Sequence, residues 1–172
     1  SWVKYQPQDM IIDFEDDMGS GYFIVSGRVR VTIRTEGGRE IILTEIPSGA
    51  SFGELSAIDG ETRSACVIAL ESTQVAAMSI SVFNEMLQNH PEFARELMKL
   101  ISKRLRAANL KLTEYSFLDA KHRLYNELLR LSRPRKGHEG QLIVSPPPIQ
   151  KELAEMIGCR REVISRELSK LK

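Results

Sequence analysis

FGELSAIDGETRSA, residues 52–65, lies between two groups of short apolar segments and is too polar and too glycine-rich to be a core strand. Gly53 lets the backbone approach a ligand closely, and residues 54–58 can form a short helix whose first N–H groups favour a phosphate. Arg63 offers a forked, charged set of donors, to which Ser64 adds a hydroxyl group. Since a buried anion without a partner is costly, these residue types together predict a binding site for a small anion.

The segments on both sides of this stretch alternate between apolar and polar residues, as half-buried strands do. Strands are predicted over 22–25, 29–33 and 41–43 before it, and over 65–70 and 73–78 after it. The alternation predicts an inward face made of Val29, Val31 and Ile33, and an outward face made of Arg28, Arg30 and Thr32. Gly37 and Gly38 permit a tight hairpin. We therefore predict an antiparallel β-roll in the N-terminal half.

The composition predicts a folded cytosolic protein. With 42% hydrophobic and 27% charged residues, the 172 residues can form one large domain or two small ones. No run approaches the roughly 18 to 20 apolar residues that cross a bilayer, and the first residues, SWVKYQPQDM, lack the features of a signal peptide. Cys66 and Cys159 lack metal-ligand spacing, which predicts two reduced thiols.

Charge is divided unevenly along the chain. Residues 1–120 carry 12 Lys and Arg against 17 Asp and Glu, a net −5, whereas residues 121–172 carry 12 against 6, a net +6. A basic C-terminal part is typical of proteins that bind nucleic acid, although solvated basic helices also produce it.

The pattern becomes helical near Ser81, and Pro91 opens a helix without further Pro or Gly as far as Asp119. Apolar residues recur along it at steps of three and four, at Leu97, Ile101, Leu105, Ala108, Leu112 and Tyr115. Such a stripe predicts packing along a second copy of the helix, and hence a homodimer. The alternative is that the stripe packs only on its own roll. Strands followed by helices give an α+β architecture.

The C-terminal part predicts three more helices. Asp119 can cap the first of these helices, whose apolar face consists of Leu124, Leu128 and Leu131. Residues 133–137 end this helix, and a flexible loop follows. The second, 149–157, is apolar at Ile149, Leu153, Met156 and Ile157. After a turn at 158–160, the third runs from Arg161 to Lys172, with Ile164, Leu168 and Leu171 inward and Glu162, Ser165, Arg166 and Ser169 outward. This is a helix-turn-helix pattern; the alternative is a plain helical hairpin with a solvated face.

Residues 53–55 and 63–65, with nine residues from Glu54 to Arg63, resemble the phosphate-binding cassette of cyclic-nucleotide-binding domains. The resemblance implies that Glu54 contacts the ribose 2′-OH and that Arg63 and Ser64 contact the cyclic phosphate. The ligand-binding set that it implies is Gly53, Glu54, Leu55, Arg63, Ser64, Ala65 and, from the long helix, Asn109. The alternative is that Glu54 and Arg63 merely pair with each other on the surface.

Nearly the whole chain resembles the Crp-Fnr family of bacterial transcription regulators, in the branch that binds cyclic nucleotides. The long helix is similar to the dimer helix of that family, but Ala108 and Asn109 stand where the family carries a Thr-Ser pair against adenine. Asn109 can read the N6 amino group of adenine or the O6 of guanine. The resemblance implies cAMP or cGMP as the effector, with cAMP favoured. The spacing of the two cysteines and the scattered histidines predict no metal, haem or iron–sulfur cluster.

Residues 158–166 resemble the recognition segment of the same regulators, whose Arg-Glu pair and later Arg read bases. The DNA-contacting set that this implies is Arg160, Arg161, Glu162, Ser165, Arg166 and Lys170. Arg161 and Arg166 suit guanine and Glu162 suits cytosine, while Arg160 and Lys170 suit phosphates. The implied partners are double-stranded DNA with a palindromic operator and RNA polymerase. Ile149 departs from the Ser or Thr cap of the family, which removes one phosphate donor.

We therefore expect a β-roll that binds the cyclic nucleotide over 1–90, a dimerisation helix over 91–118 and a helix-turn-helix domain over 119–172. The resemblance does not extend to the helix that precedes the roll or to the winged hairpin that follows the helix-turn-helix in the family, so wing contacts are not assigned. The expected function is allosteric control of transcription by a cyclic nucleotide. The alternatives are a regulator of the same family with another ligand, and a cyclic-nucleotide module without DNA binding.

An enzyme fits the sequence poorly. The acidic residues Asp13, Glu15, Asp16 and Asp17 suit a solvated turn and are accompanied by no base, nucleophile or metal set. The three histidines, His90, His122 and His138, are scattered.

Overall fold

The computed structural model of the chain describes residues 1–14, 16–17, 19–35 and 37–171. In chain order these residues form β1 (Trp2–Tyr5), β2 (Met10–Ile12), β3 (Gly21–Ser26), β4 (Arg28–Arg34), β5 (Glu40–Pro47), β6 (Ser51–Phe52), α1 (Glu54–Asp59), β7 (Cys66–Ala69), β8 (Thr73–Met78), α2 (Ile80–Asn89), α3 (Pro91–Phe117), α4 (Ala120–Leu131), β9 (Arg133–Pro134), β10 (Leu142–Ile143), α5 (Gln150–Ile157) and α6 (Arg161–Ser169). The chain divides into two compact units, Ser1–Ser102 and Lys103–Lys172. The predicted α+β architecture is confirmed.

The first unit contains a β-roll of two four-stranded antiparallel sheets. One sheet has the strand order β1-β8-β3-β6 and the other β2-β7-β4-β5. Side chains of both sheets meet in one buried core, made of Ile24, Phe52 and Val75 from the first sheet and Ile12, Val29, Ile46 and Val67 from the second. Removal of this apolar surface from water is the main term that favours the roll. The sequence missed β1, β2 and β6, which are short.

The predicted alternation in β4 holds for only part of the strand. Val29 is fully buried as expected, but Thr32, which was expected to face outward, is only 1% exposed. Thr32 pairs with Ile42 of β5 and with Cys66 of β7, and Leu43 is skipped in the pairing with β5. Ile42 and Cys66 lie on the same face of the sheet as Thr32 and are buried as well. Burial therefore changes from the face of Val29 to the face of Thr32 along β4, and the two-residue period is lost.

A second buried cluster joins the helices of the first unit. It contains Ala57 of α1, Phe83 of α2 and Leu97 of α3, with Met78 and Ile101 packed against it. The first two residues of the predicted stripe, Leu97 and Ile101, therefore pack within their own unit.

The second unit has a core between α4, α5 and α6, made of Leu124, Leu153, Ala154, Met156, Ile157 and Ile164. Asp119 caps α4 as predicted, because its side chain accepts the His122 N–H at 2.9 Å. The flexible loop expected after α4 is wrong, since β9 and β10 form a small antiparallel hairpin there. The Arg135 N–H donates to the Gln141 carbonyl at 2.9 Å and closes that hairpin.

Both ends of the helix-turn-helix differ from the sequence prediction. Ile149, expected on the buried face, is the N-cap of α5 and is 64% exposed. Its extended backbone takes the side chain out of the helical period. α6 ends at Ser169, so Leu171, which was expected to point inward, follows the cap Lys170 and is 56% exposed. Lys172 lies outside the described residues.

Two further expectations concern the surface. Among the described residues, no helix has both the length and the apolar composition needed to span a membrane. Asp16 and Asp17 of the acidic group are exposed, and Glu15 lies outside the described residues.

Candidate functional site

Arg63 is buried in the first unit, where three neutral oxygen atoms hold its guanidinium. Nη1 donates to the Gly53 carbonyl at 2.8 Å and to the Ser56 hydroxyl at 2.7 Å, and Nη2 donates to the Ser20 carbonyl at 2.8 Å. The ring centroid of Tyr22 lies 6.0 Å from Cζ. Arg63 is 6% exposed, and no carboxylate of the described residues forms an ion pair with it. A buried guanidinium with only neutral partners retains an uncompensated positive charge, so the site favours an anion.

The backbone around Arg63 fits closely against the guanidinium. Gly53 adopts the left-handed conformation with φ 75° at the start of α1. A Cβ atom at Gly53 would lie 3.0 Å from Nη1, and one at Gly19 would lie 2.5 Å from Nη2. The Arg63 N–H also donates to the Asp16 carbonyl at 3.0 Å. Two separate segments, residues 19–22 and residues 53–56, therefore converge on the Arg63 side chain.

The other residues of the predicted ligand set in the first unit flank this cation in the sequence. Glu54 begins α1 and is 3% exposed, whereas the adjacent Leu55 is exposed. Ser64 is exposed, and Ala65 is half-buried directly before β7. Because Glu54 and Arg63 are both buried, the alternative of a surface ion pair between them does not hold. The last member of the set, Asn109, is exposed on the part of α3 that belongs to the second unit.

Four residues around Arg63 were not among the predicted site residues, namely Gly19, Ser20, Tyr22 and Ser56. The carbonyl groups of Ser20 and Gly53 carry no sequence signal, because every residue has one. A signal for Ser56 was available, since it is a hydroxyl residue in the first turn of the short helix, two positions after Glu54.

An open concave surface on the second unit brings together most of the predicted DNA-contacting residues. It is lined by Gln150 of α5 and by Arg161, Glu162, Ser165, Arg166, Ser169 and Lys170 of α6. Of the predicted set, only Arg160 is missing from the lining; it is the exposed N-cap of α6. Gln150 and Ser169 were not in the predicted set.

The charged groups on this surface differ in their partners. The side chains of Arg161, Glu162 and Arg166 make no hydrogen bond or ion pair with another described residue. Lys170 is paired with Glu167, with 2.7 Å between Nζ and Oε1. Exposed guanidinium and carboxylate groups on one helix face are the groups that recognise base edges and phosphates in duplex DNA.

A tight turn joins α5 to α6. Gly158 adopts the left-handed conformation with φ 64°, and the Cys159 N–H donates to the Ala154 carbonyl at 3.0 Å. A Cβ atom at Gly158 would lie 3.0 Å from the ring of Tyr115. The Cζ atom of Arg123 lies 5.0 Å from the centroid of the same ring. At the other end of α5, Glu152 accepts the Ile149 N–H at 3.2 Å.

The two cysteines and the three histidines have local partners. Cys66 and Cys159 are free thiols, and burial raises the pKa of both. The ring Nδ1 of each histidine lies within hydrogen-bond distance of a nearby oxygen, on Glu92 for His90, on Asp119 for His122 and on Lys136 for His138. Within the described ranges, no three His, Cys, Asp or Glu side chains are grouped as metal ligands.

A β-roll with a buried arginine and a helix-turn-helix in one chain define a class of protein, the DNA-binding regulators that carry a ligand-binding domain. Comparison with known families supports this assignment. The cyclic nucleotide-binding domain family matches residues 2–90, and the Crp-like helix-turn-helix domain family matches residues 122–172.

Two curated relatives match along almost the whole chain. The cyclic AMP receptor protein of Thermus thermophilus is 34% identical over 169 residues, which are 98% of this chain and 76% of the relative. The cAMP-activated global transcriptional regulator CRP of Haemophilus influenzae is 28% identical over 174 residues, with 98% and 75% covered. Among solved structures, the c-di-GMP responsive global regulator CLP of Xanthomonas campestris has a TM-score of 0.85 at 26% identity, with 99% of this chain and 86% of that chain covered.

The chain belongs to the Crp-Fnr family. It is a DNA-binding transcription regulator with a cyclic nucleotide-binding domain, and the relative from Haemophilus influenzae is likewise named as a transcriptional regulator.

Proposed function

We propose that cAMP or cGMP controls the DNA binding of this regulator and that the chain acts as a homodimer. The observation that carries the proposal is the buried Arg63, whose charge has only neutral partners among the described residues. A cyclic phosphodiester carries a single negative charge, and charge-assisted hydrogen bonds from one guanidinium can balance it.

The proposed ligand set is Gly53, Glu54, Leu55, Arg63, Ser64, Ala65 and Asn109. Arg63 has two N–H groups left, on Nε and Nη2, that no described residue accepts. These two groups donate to the phosphate, and the exposed hydroxyl of Ser64 adds a third donor. Glu54 accepts the ribose 2′-OH, and Asn109 reads the base.

Two arguments bear on which nucleotide binds. The relatives from Thermus and Haemophilus are named for cAMP, which favours adenine. Asn109 has both a donor and an acceptor and can also serve guanine. The Xanthomonas neighbour is described as responsive to c-di-GMP, so this dinucleotide is the third ligand to compare.

The exposed part of the α3 stripe supports a homodimer. Leu105 and Leu112 are exposed by more than half, and Ala108 between them is exposed as well. Apolar residues at this spacing pack against the same residues of a second helix. We propose the functional division into a nucleotide-binding part over 1–90, a dimerisation helix over 91–118 and a DNA-binding part over 119–172.

The α6 surface binds double-stranded DNA in this proposal. Arg161 and Arg166 donate to guanine, Glu162 accepts from cytosine, Ser165 adds a hydroxyl, and Arg160 and Lys170 contact phosphates. Two copies of α6 in a dimer call for a palindromic operator. RNA polymerase is the proposed further partner, and the cytoplasm, where DNA and polymerase are found, is the proposed location.

Calorimetry with cAMP, cGMP and c-di-GMP, together with a DNA mobility shift with and without each nucleotide, tests the proposal. A ligand can control DNA binding only if it binds the DNA-competent state more tightly than the other state. We therefore expect one cyclic mononucleotide to bind with 1:1 stoichiometry and to change the DNA affinity. Binding of c-di-GMP alone, or a shift that no nucleotide alters, would contradict it.

A further inference from the structure

Ser56 differs from the other acceptors around Arg63. The acceptors at Gly53 and Ser20 are backbone carbonyls, whereas Ser56 contributes its side-chain hydroxyl at 2.7 Å from Nη1. Among the described residues it is the one acceptor of the guanidinium that a substitution can remove. Ser56 is buried, and nothing in the family comparison assigns a role to it.

We propose that Ser56 is a positioning residue for Arg63 and thereby sets the affinity of the roll for a phosphate-bearing ligand. The inference rests on the proposed nucleotide function of the same site. Ser56 does not touch the ligand in this scheme; it acts through the orientation of the guanidinium.

The number of N–H donors on the guanidinium determines what the Ser56 hydroxyl can do. A guanidinium has five N–H groups in a rigid plane, and three of them are bonded, two on Nη1 and one on Nη2. The two that remain, on Nε and Nη2, belong to adjacent nitrogen atoms and suit two oxygen atoms of a phosphate. Their direction depends on the plane of the group, and the two bonds of Nη1 hold that plane at one end. Loss of the Ser56 hydroxyl leaves one N–H of Nη1 without an acceptor, so that the Gly53 carbonyl alone holds that end and the plane is less fixed.

The backbone under Ser56 is fixed independently of its hydroxyl. Its carbonyl accepts the Gly60 N–H at 3.2 Å, where α1 ends, and the adjacent Ala57 packs in the cluster with Phe83 and Leu97. Alanine is a good helix former. Ser56→Ala therefore removes the acceptor without disturbing the course of α1.

The test combines affinity with a direct observation of the guanidinium. Ser56→Ala is titrated with cAMP and with cGMP by calorimetry, and we expect about tenfold weaker binding of the nucleotide that binds the wild-type chain, because a hydrogen bond to a charged group is lost. In ¹⁵N-labelled ligand-free protein, the Nη1 hydrogens of Arg63 are expected to give separate, slowly exchanging signals, which collapse in Ser56→Ala. Arg63→Lys identifies these signals by their loss.

Thr73→Ala is the matched control. The Thr73 hydroxyl is also buried in the roll and donates to the Glu71 carbonyl at 2.8 Å, but it makes no contact with Arg63. We expect this variant to have a lower Tm with unchanged affinity and unchanged Arg63 signals. Equal losses of affinity in both variants would mean that Ser56 is only structural, which overturns the inference.

The two levels of the proposal fail differently. If the wild-type chain binds neither cAMP nor cGMP, the proposed function is contradicted and the role of Ser56 falls with it. If the wild-type chain binds one of them and Ser56→Ala binds it equally well, the inference about Ser56 alone is overturned.

Discussion

Arg63 in the roll and the two arginines on α6 carry the same charge in opposite surroundings. Arg63 is buried, and three of its N–H groups are bonded to oxygen atoms of the roll. Arg161 and Arg166 are exposed, and their side chains make no hydrogen bond or ion pair with another described residue. Arg63 therefore loses its water and its rotamer freedom when the chain folds, whereas the arginines of α6 keep both until a ligand arrives.

The difference separates two ways of recognising a phosphate. A preorganised and desolvated cation selects its ligand by geometry, and salt screens it little. When solvated cations on a helix bind a polyanion, counterions are released, so added salt strongly reduces the binding affinity. A buried, preorganised cation suits a small effector present at low concentration. Exposed cations suit a long charged polymer along which the protein must search for its site.

Arg63→Leu is the largest expected effect. It removes two charge-assisted hydrogen bonds to the phosphate, each worth about 1.5–3 kcal/mol, so calorimetry should show nucleotide affinity reduced by at least about 100-fold. Arg34→Leu, at an exposed arginine at the end of β4, is the control and should bind as the wild type does. A Tm measurement establishes that both variants are folded. Wild-type affinity in folded Arg63→Leu would exclude Arg63 from the site.

The second largest expected effect is a difference in salt dependence between DNA binding and nucleotide binding. Between about 50 and 200 mM salt we expect DNA affinity to fall by about 100-fold for a dimer that makes four phosphate contacts. Nucleotide affinity should change by less than about threefold over the same range, because the cation is buried. Fluorescence anisotropy with labelled DNA and with a labelled nucleotide measures both. If salt reduced the DNA affinity and the nucleotide affinity by the same factor, the distinction between the buried and the exposed arginines would be contradicted.

Arg166→Ala should change sequence preference more than overall affinity. Loss of a bidentate contact to guanine is expected to reduce discrimination by about 1–3 kcal/mol at one base position, with little effect on binding to unrelated DNA. Arg133→Ala removes an exposed arginine of the same unit outside α6 and serves as the control for charge. Competition between operator variants measures the effect, and retained discrimination in Arg166→Ala would count against a base contact.

The smallest effect concerns the cap of α4. The backbone N–H of His122, and then its side chain, hold the pKa of the Asp119 carboxyl below its usual range. A carboxylate with a lowered folded pKa stabilises the protein above its unfolded pKa, and this contribution is lost as the pH falls through the folded value. Below about pH 4 the Tm of the wild type should therefore approach that of Asp119→Ala, which is a few degrees lower near neutral pH. A constant difference at all pH values would show that the carboxylate is not the cap.

The patterned parts of the chain could be predicted from the sequence, and the exceptions have physical causes. The roll, the long helix and the helix-turn-helix follow from apolar period, Pro, Gly and cap residues. The buried Thr32 could not be foreseen, because burial changes face along β4, next to a bulge at Leu43 of the neighbouring strand, and residue type does not indicate this change. Ile149 and Leu171 carry the right residue type but stand at helix ends, where the helical period no longer decides burial.

For the site, the sequence indicated two charged residues but not their environment. An anion site at Glu54 and Arg63 stays a prediction, and the structure shows that both residues are buried in the first unit. The oxygen atoms that hold Arg63 come from the backbone at Ser20 and Gly53, where residue identity says nothing about hydrogen bonding. Only the three-dimensional convergence of these segments reveals that the cation has neutral partners.

The close approach of Gly158 to Tyr115 has a consequence for how the family varies. A Cβ atom at 158 would lie 3.0 Å from the Tyr115 ring, and the left-handed backbone there disfavours a side chain in any case. Relatives that carry a smaller residue at the position of Tyr115 should accept Asn or Ala in the turn more often than relatives that keep the aromatic ring. Two positions far apart in the sequence are thus expected to change together during evolution, and an alignment of the family would display this as covariation.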